Sequence, residues 1–140
     1  MGGGNQKDEG EPLIVVDTSV TAKYFFDEEG SKIVKELFRV ETLAAPDLML
    51  YEFASVLLKQ RELSEEELNR FLDLFYQLSV ELFVLPQKGF RRALAMARRF
   101  GLSAYDASFI ALAESLGGDF VTADKKLASK AKALPFVRLL

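Results

Sequence analysis

Histidine and cysteine, which serve in enzymes as general bases, nucleophiles and zinc ligands, are both absent from this 140-residue sequence. Their absence excludes disulfides, thiolate chemistry, His-dependent triads and zinc sites with nitrogen or sulfur ligands. A catalytic metal would have to be held by oxygen ligands, which select hard ions such as Mg²⁺ or Mn²⁺. The carboxylate side chains are therefore the first candidates for a functional site.

Two aspartates follow short apolar segments that are typical of buried parallel strands. Asp17 follows residues 13–16, and Asp124 follows residues 120–122 after one intervening alanine. In an open parallel sheet the ligand crevice lies at the C-terminal ends of the strands, where both aspartates are expected. Each also stands where a helix begins, and helix capping explains either residue equally well when it is taken alone.

Glu52 lies in an apolar segment, residues 48–58, whose helical spacing places it on a face with Leu48, Met49 and Val56. Burial of an unpaired carboxylate costs several kcal/mol or forces it to take up a proton. A cation is therefore expected beside Glu52. It could be a metal ion, or a basic side chain in a structural salt bridge.

Asp106 follows Ser103 by three residues, a spacing that fits a helix-capping role. Its neighbours at i+3, i+4 and i+7 are Phe109, Ile110 and Ala113, so its side chain is expected to point along the buried helix face. The sequence leaves capping and catalysis open for Asp106.

The elements that must position these acids alternate along the chain. Strands are predicted over residues 13–16, 43–45, 80–85, 120–122 and 136–139. Helices are predicted from about residue 19, over 31–40, from 47 to about 60, from 64 to about 78, over 90–100, from 103 to 117 and over 125–133. This alternation predicts a three-layer α/β/α sandwich with a mostly parallel central sheet of about five strands.

The helix boundaries rest on local capping signals. Asp47 is the predicted N-cap of the third helix, and Ser64 opens a capping box with Glu67. Gly101 and Gly117 are predicted to end the helices that precede them.

Residues 12–140 are predicted to form a single domain, preceded by a flexible leader at residues 1–11 that is rich in glycine and charge. The apolar runs are too short to span a membrane, and no secretion-signal pattern opens the sequence. We therefore expect a soluble protein of the cytoplasm.

The net charge of −3 hides a strong asymmetry between the two parts of the chain. Residues 1–87 carry 8 Lys/Arg and 17 Asp/Glu, whereas residues 88–140 carry 10 and 4, giving net charges of −9 and +6. The second part could therefore face phosphates. The candidates for contact with phosphates are Arg91, Arg92, Arg98, Arg99, Lys125 and Lys126. For any single one of them, a position on a solvated helix face is the simpler interpretation.

Taken in chain order, these elements resemble the PIN-domain nucleases, most closely the VapC-type toxin ribonucleases of toxin–antitoxin systems. The resemblance covers residues 13–140. It consists of a strand ending in Asp17-Thr-Ser19, a helix carrying Glu52, a helix carrying Asp106 in Leu-Ser-Ala-Tyr-Asp-Ala, and Val-Thr-Ala-Asp124. Each piece is a weak motif, but four pieces in this order are fairly specific.

The resemblance implies a ribonuclease with one or two Mg²⁺ or Mn²⁺ ions, which would neutralise the scissile phosphate and lower the pKa of an attacking water. The uneven charge suggests a small antitoxin partner, and the resemblance implies a homodimer. The implied metal ligands and catalytic residues are Asp17, Glu52, Asp106 and Asp124, with Ser19 and Thr122 as supporting hydroxyls.

Two other functions remain open from the sequence. One is a catalytically inactive PIN-like protein that serves as an RNA-binding module or scaffold. The other is a Mg²⁺-dependent phosphoryl-handling domain, although Ser19 stands where a haloacid-dehalogenase-type phosphatase would have its second aspartate. A glycine-rich loop that could cradle phosphate is also missing.

Overall fold

The computed structural model describes residues 13–140, so the predicted leader at residues 1–11 lies outside the described part of the chain. Five strands form one sheet in which every neighbouring pair is parallel. In chain order they are β1 (Ile14–Val16), β2 (Leu43–Pro46), β3 (Glu81–Phe83), β4 (Phe120–Thr122) and β5 (Val137–Leu139). Their order across the sheet is β3-β2-β1-β4-β5, which places β1 at the centre.

Helices connect the strands, as the predicted alternation requires. They are α1 (Thr18–Phe25), α2 (Ser31–Val40), α3 (Leu48–Leu58), α4 (Glu65–Gln77), α5 (Gln87–Phe100), α6 (Ala104–Leu116) and α7 (Lys125–Lys130). The predicted α/β architecture with a parallel five-stranded sheet is confirmed. No helix within residues 13–140 is long and apolar enough to cross a membrane.

Most of the predicted capping signals are present. The Ser64 hydroxyl accepts from the Glu67 N–H while the Glu67 carboxylate accepts from the Ser64 N–H. Gly101 and Gly117 end α5 and α6 in the left-handed conformation, with φ of 68° and 71°. The Asp47 cap is wrong, because its backbone is already helical and its side chain accepts no capping hydrogen bond.

The central strands are buried on both faces, as strands of a helix-covered parallel sheet should be. Val15, Val16 and Phe120 are fully buried, and α6 contributes an unbroken buried stretch over residues 107–113. The register between β1 and β4 pairs Val16 with Val121. The residues that follow these two strands therefore emerge side by side at the C-terminal edge of the sheet.

Candidate active site

Asp17 leaves β1 at this edge and is almost fully buried, with 8% of its surface exposed. The Ser19 hydroxyl donates to its Oδ1 at 2.5 Å, and the Thr122 hydroxyl donates to its Oδ2. The Val20 N–H also donates to Oδ1, at 3.2 Å, so Asp17 is the N-cap of α1. The N-cap of α1 and the candidate metal ligand are therefore the same side chain.

The two hydroxyls connect Asp17 to the segment that follows β4. Ser19 Oγ accepts from the Ala123 N–H at 3.1 Å, and Thr122 Oγ1 accepts from the Asp124 N–H at 3.0 Å. Each hydroxyl therefore donates to the carboxylate and accepts from the backbone, which leaves it little freedom to rotate. The Asp17 carboxylate is therefore held between the first turn of α1 and the end of β4.

Burial raises the pKa of Asp17 above its ordinary value, although hydrogen bonds from Ser19, Thr122 and Val20 partly oppose this effect. The negative charge of Asp106 raises the pKa further. Within residues 13–140 the ion pairs engage other acids, so no Lys or Arg neutralises Asp17. A buried carboxylate with only neutral donors around it is suited to bind a cation.

Glu52 is half-buried on α3, and its Oε1 accepts from the Thr18 hydroxyl at 2.5 Å. No ion pair of Glu52 is found in the described part of the chain, so the predicted salt-bridge alternative is not supported. Thr18 is not among the site residues predicted from the sequence. The available signal was its place in Asp17-Thr-Ser19, at the first position of a helix that leaves the candidate site.

Asp106 occupies the first turn of α6, where its N–H donates to the Ser103 hydroxyl at 3.0 Å. Its side chain is half-buried. Burial raises the pKa of Asp106 and the nearby Asp124 carboxylate raises it further, whereas Ser103 and Lys130 partly lower it. Asp106 therefore lies within the electrostatic reach of both Asp17 and Asp124.

Asp124 is exposed and is the N-cap of α7, as predicted. Its Oδ1 accepts from the Lys126 and Leu127 N–H groups at 2.9 and 3.1 Å. Capping holds this carboxylate at the rim of the site, next to the strand end that carries Thr122.

Asp17 and Asp124 follow β1 and β4 at the C-terminal edge of the sheet, called the acidic edge below, and Glu52 and Asp106 lie on α3 and α6. Charge interactions link Asp17 to Asp106 and Asp106 to Asp124, while Glu52 is joined to the group through Thr18. Within residues 13–140, however, no three carboxylates lie close enough together to form a metal-binding group. Repulsion between unneutralised carboxylates disfavours a tighter arrangement. The donors are carboxylate and hydroxyl oxygens, which fit Mg²⁺ or Mn²⁺ in chemistry.

The basic side chains singled out from the sequence are all exposed, but some are engaged within the chain. Arg92 pairs with Glu114 at 2.7 Å, and the Arg99 guanidinium lies 4.7 Å from the centre of the Phe100 ring. The lysines at 125–126 stand at the start of α7, beside the acidic edge. These two are the candidates closest to the acids along the chain.

The PIN domain family model matches residues 14–133 of this chain. The chain belongs to the PIN-domain family. It is 33% identical to ribonuclease VapC3 of Pyrobaculum aerophilum over 126 residues, which cover 87% of this chain and 96% of that relative. The PIN and VapC-type resemblance inferred from the sequence is therefore confirmed.

Solved structures share the fold of this PIN domain. The crystal structure of PAE2754 from Pyrobaculum aerophilum matches with a TM-score of 0.61 at 28% identity, covering 86% of this chain and 87% of that one. VapC20 of Mycobacterium tuberculosis, described as a Sarcin-Ricin loop cleaving toxin, matches with a TM-score of 0.65 at 17% identity, covering 84% and 95%. The VapC20 likeness concerns the fold alone.

Replacement of Asp106 by Asn should raise the melting temperature of the metal-free PIN domain by a few degrees at about pH 8. Because the pKa of Asp106 is raised in the folded state, its ionisation costs stability. That cost is absent below the ordinary carboxyl pKa of 3.8 and appears as the pH rises through the folded-state pKa. The gain should therefore shrink at about pH 4.

Calorimetry in EDTA at the two pH values measures this difference, with Asp73→Asn on the exposed face of α4 as the matched control. An equal effect of Asp106→Asn at both pH values, or a loss of stability at the higher one, would contradict this expectation. It would show that Asp106 affects stability only through its place in the first turn of α6 and not through its charge in the site.

Proposed function

We propose that this PIN domain is a metal-dependent endoribonuclease that hydrolyses RNA phosphodiester bonds at the acidic edge of the sheet. The observation that carries the proposal is the buried Asp17 carboxylate, held by two hydroxyls and paired with no basic side chain in residues 13–140. The relative named ribonuclease VapC3 supports RNA as the substrate class.

In this proposal the carboxylates act as metal ligands rather than as nucleophiles. When bound, Mg²⁺ or Mn²⁺ supplies charge neutralisation at the scissile phosphate and lowers the pKa of an attacking water. Ser19 and Thr122 orient Asp17, because each holds one of its oxygens. The ligands of one or two ions would be Asp17, Glu52, Asp106 and Asp124.

The substrate backbone would lie along the positively charged second part of the chain. Residues 88–140 carry a net charge of +6, and the lysines at 125–126 stand exposed beside the acidic edge. Phosphate contacts of this kind give affinity without sequence specificity.

A catalytically inactive PIN-like scaffold or RNA-binding protein is the second candidate. It is favoured by one observation, that no three carboxylates of residues 13–140 lie close enough to form a metal-binding group. The charge interactions of Asp17 and Asp124 with Asp106, and the Thr18 contact of Glu52, favour the nuclease. Membership of the PIN family gives no support to the phosphoryl-handling alternative.

The cellular role we propose is that of the toxin in a toxin–antitoxin pair, acting on RNA in the cytoplasm. The relative named VapC3 supports this role. A small antitoxin protein would be the partner that restrains the nuclease.

We further propose a homodimer. The side chains of Val84, Phe90 and Tyr105 are 78%, 48% and 63% exposed and line one apolar cavity of about 190 Å³. Clustered exposed apolar side chains of this kind are typical of protein interfaces, and a twofold dimer can bury the same patch on both copies.

Purified protein should cleave RNA with Mg²⁺ or Mn²⁺, and cleavage should stop in excess EDTA, because the proposed chemistry depends on a cation. Asp17→Asn should lower the rate roughly 100-fold or more while the circular dichroism spectrum stays unchanged. Gel-based cleavage of a labelled RNA measures both effects, with Asp73→Asn as the control of equal charge change.

Undiminished cleavage in EDTA, or by Asp17→Asn, would contradict the metal mechanism.

The same two proteins test the toxin role, since expression of the wild type in a bacterial host should arrest growth and expression of Asp17→Asn should not. Normal growth with an active nuclease would remove the toxin assignment and leave the enzyme.

Light scattering should find twice the chain mass for the wild type. Val84→Glu and Phe90→Glu should each shift the protein toward the monomer, because the new charge would be desolvated at the interface. Ile33→Glu changes an equally apolar side chain on α2, 63% exposed, and should leave the dimer intact. A wild type that stays monomeric at every concentration tested would reject the dimer.

A further inference from the structure

We propose that Thr18 is a positioning residue that holds the Glu52 carboxylate ready for the cation. The inference rests on the proposed metal-dependent function, since it assigns to Thr18 a part in preparing one of the metal ligands. Neither the predicted site nor its supporting hydroxyls included this residue.

The contact joins two elements that are far apart in the chain. Thr18 is the first residue of α1 and Glu52 lies in the middle of α3, 34 positions later, yet Thr18 Oγ1 lies 2.5 Å from Glu52 Oε1. The pair is partly buried, so water competes less for the carboxylate than it would on an open surface.

Glu52 depends on this hydroxyl because the described chain offers it nothing else. No other hydrogen bond and no ion pair of the Glu52 side chain is found within residues 13–140. The Thr18 hydroxyl engages Oε1 and leaves Oε2 without a donor there. A glutamate side chain has three rotatable bonds, so a single fixed oxygen strongly restricts where the other can point.

Thr18 also directly follows Asp17, which makes the contact more than a link between two helices. The first turn of α1 holds Asp17 through Ser19 and holds Glu52 through Thr18. Two consecutive hydroxyl residues therefore orient two acids that come from different elements. Loss of such an outer partner typically weakens metal binding 10- to 100-fold.

The test compares Mn²⁺ binding to the full-length, metal-free protein by titration calorimetry. Thr18→Val removes the hydroxyl and keeps the β-branched shape, and it should weaken Mn²⁺ binding by about tenfold or more. Thr18→Ser keeps the hydroxyl and should restore most of the affinity. Thr42→Val makes the same exchange before β2, at the opposite end of the sheet, and should bind Mn²⁺ like the wild type.

A double-mutant cycle with Glu52→Gln separates positioning from a general structural effect. If Thr18 acts through Glu52, Thr18→Val should cause almost no further loss of Mn²⁺ affinity in the Glu52→Gln background. A loss of the same size in both backgrounds would overturn the inference. If Thr18→Val fails to fold, the comparison of Thr18→Ser with Thr18→Ala in the same cycle decides.

The outcomes also distinguish a failure of the positioning role of Thr18 from a failure of the proposed nuclease function. Wild-type Mn²⁺ affinity in Thr18→Val, with RNA cleavage intact in the wild type, would overturn the positioning role and leave the function standing. A wild type that binds Mn²⁺ but cleaves no RNA would overturn the function, while the cycle still decides the role of Thr18. A wild type that binds no Mn²⁺ would overturn both.

Discussion

The burial of Asp17 at the end of the central strand is the constraint on which the rest of the site depends. A carboxylate in this position loses hydration, so each of its oxygens needs a donor from the protein. Those donors are Ser19 and Thr122, which are themselves fixed by the backbone beyond β4. Satisfying one acid therefore ties the ends of two strands and the start of α1 into a single arrangement.

The other three acids belong to segments that also cap helices or pack in the core. Asp124 caps α7, and Asp106 lies in a first helical turn capped by Ser103. Glu52 sits on α3, whose apolar residues pack in the core. Burial, and to a smaller extent repulsion between the carboxylates, raises the pKa of both Asp17 and Asp106, so ionising these two acids without a cation costs stability. In our proposal a bound divalent ion offsets that cost.

Many of the strands and helix ends could be predicted from the sequence, because the local sequence signals favour the same structure as the packing of the whole domain. The β-branched run before Asp17, the capping box at Ser64 and the glycine at position 117 each point to one structure, and each is present. Strand β3 was predicted over residues 80–85 but spans Glu81–Phe83. It lies at the edge of the sheet and has a pairing partner on one side only, so its ends lack stabilising bonds.

The features that escaped sequence analysis depend on contacts between distant segments. Nothing near Glu52 in the sequence points to Thr18, because the two residues meet only when α1 packs against α3. Asp47 has a good capping residue type, but the backbone that the fold imposes is already helical. How closely the four acids approach one another is likewise decided by packing and mutual repulsion, which residue spacing does not encode.

The most direct measurement is the anomalous diffraction of crystals grown with Mn²⁺. Binding of the ion by the acidic edge predicts an anomalous peak coordinated by Asp17 together with at least one carboxylate of Glu52, Asp106 or Asp124. It also predicts that the acids draw closer together around the ion. A crystal saturated with Mn²⁺ that shows no peak at this edge, or a peak held only by other residues, would contradict the proposal that these acids form a metal centre.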